Sequence, residues 1–242
     1  MRTVGRGEPL RIGAGCTFYG EVALGHNAVI GDNVVVGYPK EAALEEFQRG
    51  SDPPQPNRQS PFDAVAPTTI GSRCRIGSQV VLYEGTQLGD SVSIDDCCRI
   101  GFDCIIGDNT RVAYAAFVCD RVRIGRNCVI AGFVCDRAVI GDNVKAMGTV
   151  LHELTHPQVP WGMVEPAPRI EDRAVVGFDA KIVGGITVGH NSYVAAGAIV
   201  TKDVPPKSVV IGVNSVIAWD RWSGEKLSRA FWDWGEEDRD ES

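Results

Sequence analysis

Large aliphatic side chains recur every six residues along most of this chain. Ile12, Phe18, Leu24, Ile30 and Val36 begin the series. It resumes at Ile70 and runs through Ile76, Leu82, Leu88, Ile94, Ile100, Ile106, Val112, Val118, Ile124 and Ile130. A phase-shifted stretch holds Val134, Ile140 and Ala146, and a last one holds Ile170, Val176, Ile182, Val188, Val194 and Val200. Neither the 3.6-residue period of a helix nor the two-residue period of a strand produces this spacing. Glycine often follows the aliphatic slot, as at Gly31, Gly77 and Gly107, and a small residue follows four positions after it, as at Val34, Val80 and Thr110. A six-residue unit of this kind is a short strand and a turn, with the aliphatic and the small residue both facing inward. Glycine serves the turn, where a positive φ or a close approach is required. Three units close a triangular coil of about 18 residues, and stacked coils form a parallel β-solenoid of roughly eight coils.

Composition agrees with a narrow regular interior: glycine is 28 of 242 residues, while aromatic residues are only 7%. The formal charge of −7 and the lack of a basic run argue against a nucleic-acid binder. No apolar stretch approaches the ~20 residues that span a bilayer, and Met1–Gly5 carries no apolar leader core, so a cytoplasmic protein with no membrane contact is the expectation. Five of the eight cysteines, Cys16, Cys74, Cys98, Cys104 and Cys128, fall on the small inward slot and read as small hydrophobes. Cys119 and Cys135 take the glycine slot in two copies of Phe-Val-Cys-Asp-Arg. In Cys97-Cys98 one side chain points out and one in.

The period breaks in three places. Pro39 to Gly50 reads as a short helix closed by glycine, and Ser51 to Pro67 carries five prolines and reads as an extruded loop, so an insertion over 38–69 is expected. The second break, 150–169, contains Leu151-His152-Glu153-Leu154-Thr155-His156-Pro157. The third follows Val200: Lys202, Lys207 and Arg221 are near one another in sequence, and Ser223 caps a short helix with Leu227, Ala230, Phe231 and Trp234 on one face. The expected domains are a β-helix over 1–217, carrying both insertions, and a C-terminal helix with an acidic tail over 218–242. His26 and His190 sit in Gly-His-Asn turns and read as surface residues. Counting sixes from Ile140 and Ala146 puts His152 on an inward slot.

At Thr155-His156-Pro157 and at Ala195-Ala196-Gly197-Ala198-Ile199-Val200-Thr201-Lys202-Asp203-Val204-Pro205 the chain resembles the hexapeptide-repeat, left-handed β-helix acyltransferase superfamily. The specific likeness, over about 155–217, is to coenzyme-A-dependent sugar N- and O-acetyltransferases of the maltose and galactoside type. It departs from them at Gly212-Val213-Asn214-Ser215 and Val175-Val176-Gly177, and in the insertion over 38–69.

The resemblance implies an all-β, left-handed β-helix that assembles as a homotrimer. It implies an acyltransferase moving an acetyl group from acetyl-CoA to a hydroxyl or amino group of a sugar, sugar nucleotide or natural product, with no metal. It implies His156 as the general base, a role that suits imidazole, with His152 as rival and Glu153 or Glu165 as orienting carboxylate. Ala195, Ala196 and Gly197 then offer backbone groups to the pantetheine arm and Thr201 and Lys202 contact the nucleotide end, with Gly177 and Lys207 as further candidate cofactor-binding residues. Two other readings use the same solenoid: a non-catalytic scaffold, and a γ-carbonic-anhydrase-like zinc enzyme. The latter needs three histidines, where only His152 and His156 are candidates.

Overall fold

The computed structural model describes residues 2–3, 10–49, 65–152 and 165–212. The solenoid reading holds: short parallel strands build three flat faces. Face A has nine strands from Arg2–Thr3 to Thr187–Val188, face B ten from Arg11–Ile12 to Val209–Val210, and face C nine from Thr17–Phe18 to Ile199–Val200. The architecture is that of a left-handed β-helix of about nine turns, one more than the expected eight. Most strands are two residues long, so each contributes one outward and one inward side chain. Stacked partners lie one coil apart in sequence, as in Ser93↔Arg111 with Ile94↔Val112 and Ile105↔Arg123 with Ile106↔Ile124.

The aliphatic slots form continuous inward columns. On face A the column runs Leu24, Ile70, Leu88, Ile106, Ile124, Ile140, Ile170 and Val188, all buried. The small slots fill the corners between columns: Cys74, Cys98, Cys104 and Cys128 are all buried there, while Cys97 is exposed. Burial of this apolar area supplies the main stabilisation, and every cysteine is a free thiol.

A regular corner has four residues, and its third takes a positive φ, as at Asn33, Gln79, Cys97, Asn109, Asn127 and Asn191. Asparagine and aspartate tolerate this region better than other non-glycine residues, which explains the recurring Gly-Asp-Asn. The glycine itself serves close approach: a Cβ on Gly71 would collide with the carbonyl of Gly89 on the next coil. The third residue's N–H donates to the carbonyl of the second residue one coil earlier. At the A/B corner this ladder is unbroken, from Arg73 N to His26 O (2.8 Å) through Asn109 N to Asp90 O (2.9 Å) to Lys207 N to His190 O (2.9 Å). The corners therefore consume their backbone polar groups by stacking, as a buried chain must.

Both insertions leave the same C/A corner. After the face C strand Val35–Tyr38 comes helix α1, Glu41–Arg49, and the chain returns at Thr68–Ile70. After Thr149–Leu151 it returns at Arg169–Ile170. Five coils of about 4.8 Å separate the two points, or about 24 Å. The expected C-terminal helix and tail over 218–242 lie outside the described residues.

Candidate active site

His152 stands at the C/A corner, and its position corrects the expected inward register. The two B/C corners at Ala131-Gly132 and Met147-Gly148 have two residues where a regular corner has four. The count therefore shifts twice, first bringing Val134 and then Val150 to the inward slot; Val150 is fully buried, and paired with Val134 and Ile182. His152 follows two residues on, at the corner, with its side chain 18% exposed.

Its ring does a structural job there. The C/A ladder runs Asp103 N to Glu84 O, Arg121 N to Phe102 O, and Arg137 N to Asp120 O (3.0, 2.8 and 2.9 Å). The next rung would end on Asp136 O, but the chain departs into the insertion. His152 Nε2 takes that carbonyl instead, at 2.8 Å, and Nδ1 meets Glu165 Oε2 at 3.1 Å. A carbonyl only accepts, so Nε2 carries a proton. Nδ1 faces the Glu165 carboxyl group, so both ring nitrogens are engaged. Neither ring nitrogen is free to take a proton from a substrate without breaking one of these bonds. Glu165, at 15% side-chain exposure, is on the returning stem, so the pair clasps the loop at its base. Glu153, Thr155, His156 and Pro157 lie outside the described residues.

The first insertion has an equivalent clasp that its sequence did not signal. Glu84 is 4% exposed; its carboxylate accepts Lys40 N (3.1 Å) on the outgoing stem and Ala66 N (2.8 Å) on the returning one. Lys40 Nζ lies 3.7 Å from Glu84, 3.1 Å from Asp103 and 4.7 Å from the Phe102 ring centroid.

Between the clasps, face C carries an outward aromatic stripe. The Arg99 guanidinium is sandwiched between Tyr83 (4.6 Å) and Phe117 (4.8 Å), and Phe117 stacks on Phe133 at 5.5 Å. Arg121 covers Phe102 at 4.8 Å. Asp120 is at this corner too, its carboxyl held above the ordinary carboxylate range by burial, with Asp136 adding to the shift. A groove of about 460 Å³ on face B, lined by Arg75, Ser93, Asp95, Arg111 and Tyr114 among others, is partly closed by the Arg111–Asp95 ion pair at 2.7 Å.

The residues expected near acyl-CoA fall on different corners. Gly177 and Ala195-Ala196-Gly197 share the B/C corner of successive coils. Gly197 has φ +71, and a Cβ there would meet nothing within 4 Å. Ala196 and Gly197 are exposed, so the backbone of this corner is open to a ligand. Thr201 and Lys202 are at the C/A corner, and Lys207 is at the A/B corner, both lysines exposed. Lys202 and Lys207 thus stand on two different corners of the last coil, and Arg221 lies outside the described residues. Among the described residues no helix is long and apolar enough to cross a membrane, and no three His, Cys, Asp or Glu side chains converge as a metal-ligand set.

Comparison with known proteins finds similarity confined to parts of the chain. The model of the hexapeptide repeat of succinyl-transferase matches residues 67–96 and 169–202. A serine acetyltransferase of Mycobacterium tuberculosis is 46% identical over 46 residues, 19% of this chain and 20% of that protein. The bifunctional protein GlmU of Geobacillus thermodenitrificans is 42% identical over 64 residues, 25% of this chain and 14% of that one. The 2,3,4,5-tetrahydropyridine-2,6-dicarboxylate N-acetyltransferase of Staphylococcus aureus is 43% identical over 60 residues, 23% and 25% of the two chains. The matches thus span a quarter or less of these relatives' lengths. Among solved structures, a UDP-N-acetylglucosamine acyltransferase of Francisella novicida aligns with a TM-score of 0.33 and 15% identity, covering 84% of this chain and 65% of its own. The matched segments, 67–96 and 169–202, are repeat coils of the solenoid, and over them the chain is similar to hexapeptide-repeat acyltransferases.

Proposed function

We propose that the protein transfers an acetyl group from acetyl-CoA to a hydroxyl or amino group of a small acceptor, a sugar, sugar nucleotide or natural product. The observation that carries this reading is the second matched repeat segment, 169–202, running directly into Ala195–Pro205, the stretch whose motif resembles the acetyltransferases. His156 is the general base, taking the acceptor's proton as its oxygen or nitrogen attacks the thioester carbonyl. A positioned base contributes about 10²–10⁴-fold. The clasp of His152 on Asp136 and Glu165 supports this choice, because it engages both nitrogens of the rival imidazole. No covalent enzyme intermediate is needed. Small side chains at Gly177, Ala195, Ala196 and Gly197 let the pantetheine arm approach the corner backbone, and Thr201, Lys202 and Lys207 serve the nucleotide end. Because Lys202 and Lys207 stand on separate corners of one solenoid, a homotrimer that brings corners of neighbouring copies together fits this reading. Light scattering should give about three times 26 kDa.

The test is twofold. CoA should raise Tm, since a ligand bound only by the native state stabilises it. Release of free CoA thiol from acetyl-CoA should then appear with at least one member of an acceptor panel of amino sugars, sugar nucleotides and serine. A protein that neither gains stability from CoA nor turns over acetyl-CoA with any of them is not this enzyme.

A further inference from the structure

The outward column of face B changes character over three coils. Val29, Arg75, Ser93, Arg111 and Val129 are stacked neighbours on successive strands, so a polar run of three is bracketed by valines. Two coil spacings, about 10 Å, separate the backbones of Arg75 and Arg111. Over the same coils the adjoining B/C corner passes from Gly77-Ser78 through Asp95-Asp96 to Ala113-Tyr114. Gly77 gives the groove wall only backbone, Tyr114 gives it a ring, and the 460 Å³ of space lies between them.

The polar groups of this groove are unequally engaged. The Arg111 charge is paired: Nε and Nη2 both donate to Asp95 Oδ2, at 3.1 and 2.7 Å. Arg75 is different. Its Nη2 donates to Ser93 Oγ at 3.3 Å, and it has no carboxylate partner among the described residues, so most of its N–H donors are unused. Ser93 accepts that bond and keeps its own O–H to donate. Asp96 Oδ1 accepts the N–H of Ser78 at 2.7 Å, and a Cβ on Gly77 would collide with that oxygen. The Asp96 carboxylate therefore lies over Gly77 at the groove's edge. Its Oδ2, Asp95 Oδ1 and the Tyr114 hydroxyl have no partner among the described residues, and Tyr114 is 68% exposed.

This set selects its ligand. Guanidinium donors and carboxylate acceptors alternate along the groove, and a hydroxyl both donates and accepts, so neighbouring hydroxyls on one ring satisfy both. The uncompensated Arg75 fork matches the planar oxygens of a carboxylate or phosphate. The exposed Tyr114 ring offers a flat apolar surface to the C–H face of a sugar. A volume of 460 Å³ is in the range of small-molecule sites, and a free α-amino acid would leave most of it to water. A polyphosphate backbone is disfavoured by Asp95 and Asp96.

We propose that the face B groove binds a monosaccharide unit bearing one anionic group. The anion sits on Arg75 and the Ser93 hydroxyl, the ring hydroxyls on Asp95 and Asp96, and the sugar's apolar side against Tyr114. The site stands apart from the acyl-transfer reading and does not rest on it: along the solenoid axis the groove is three to five coils from Gly177, about 14–24 Å. The anion is either the carboxylate of a uronic acid or the phosphate of a sugar phosphate.

The experiment titrates the full-length protein, by ligand-observed NMR, with glucuronate, glucose-1-phosphate, glucose and serine. Two variants change exposed side chains outside the proposed transfer machinery, Arg75→Gln and Tyr114→Ala. An anionic sugar should bind the unaltered protein, and at least about tenfold more tightly than glucose. Arg75→Gln should abolish that preference and leave glucose binding unchanged. Tyr114→Ala should weaken both sugars several-fold. Tm certifies the fold of each variant, and if one does not fold the other decides alone. A preference for glucuronate assigns the anion as carboxylate, and a preference for glucose-1-phosphate assigns it as phosphate. Binding of neither anionic sugar, serine binding as tightly as they do, or equal affinities in the unaltered protein and every folded variant overturns the proposal. CoA should raise the Tm of Arg75→Gln as much as that of the unaltered protein, so failure of the groove and failure of the acyltransferase reading are told apart.

Discussion

His152 and Glu165 meet at 3.1 Å across the two stems of one loop, and the other nitrogen of the same ring replaces a missing rung on Asp136 O. The ring thus closes two unsatisfied edges created by the chain's departure from the coil. Removing it exposes a part-buried carbonyl, at a cost of about 1–3 kcal/mol. His152→Ala should lower Tm by roughly 3–10 °C. His152→Gln keeps a donor for Asp136 O and should recover part of that loss. Both variants, where folded, should keep kcat within about tenfold, because a clasp positions a loop and is not the proton acceptor. A folded His152→Gln protein with a normal Tm and no turnover would make His152 the base.

The converse holds for His156. His156→Ala and His156→Asn should lower kcat/KM by at least about 10², the range for loss of a general base, while CoA still raises Tm. Turnover that survives both substitutions would move the base elsewhere in the loop or to an acceptor amine that binds already neutral.

The repeat made most of the fold readable: a side chain every six residues that is always aliphatic leaves the backbone few alternatives, and both insertions showed as gaps in the same count. What failed was the count across a shortened corner. Ile130 to Val134 is a step of four, visible because Val134, Ile140 and Ala146 continue in the new phase. Ala146 to Val150 is a second step of four, but nothing periodic follows it before Ile170, so His152 inherited the wrong register. Glu84 was illegible for another reason. In Tyr83-Glu84-Gly85 it has the composition of an exposed turn, and becomes buried only because two stems from distant sequence positions converge on it.

Glu84 should therefore be among the costliest surface-corner positions to alter. Glu84→Ala leaves the Lys40 and Ala66 amides without their shared acceptor, while the Lys40 ammonium keeps Asp103 at 3.1 Å. A loss of about 2–4 kcal/mol is expected, since hydrogen bonds to a charged group are the stronger ones. Amide exchange at Lys40 and Ala66 should accelerate at least tenfold while Ile100, deep in the solenoid, is unchanged. Acceleration that spreads equally to Ile100 would mean that the carboxylate supports the coil stack and not the insertion.

The thiols whose ionisation burial suppresses should be inert. Burial pushes Cys74 and Cys98 up to about 11, and Cys104, Cys119 and Cys135 up to about 12, so their thiolates, the reactive forms, are scarce at pH 8. Exposed Cys97 should label first, and Cys97→Ser should abolish that fast phase without loss of turnover. The raised values also set an alkaline limit. The unfolded chain ionises these thiols near the ordinary value of 9 and the folded chain only at 11–12. Their contribution is complete below pH 9 and is lost as pH climbs toward 11–12. Rapid inactivation by labelling at pH 8 would contradict the assignment of these cysteines to the core.

Asp120 is the acidic counterpart, and its sign is opposite to that of a paired surface carboxylate. Burial disfavours its charged form, and Asp136 nearby disfavours it further, while its Oδ1 accepts the N–H of Phe102 at 3.1 Å. The folded state holds the proton more tightly than the unfolded chain does. That favours folding below the ordinary carboxylate value of 3.8, and the advantage disappears as pH rises through the folded value. At neutral pH the ionised group is a net cost. Asp120→Asn keeps an oxygen for the Phe102 amide and removes the charge, so it should raise Tm at pH 7. The gain should shrink as pH is lowered and vanish once Asp120 is protonated in the unaltered protein. Paired melts from pH 3 to pH 8 read this directly: a Tm difference independent of pH, or a loss at pH 7, would mean that the Asp120 charge is engaged by a favourable partner such as Arg99 or Arg121 more strongly than burial penalises it.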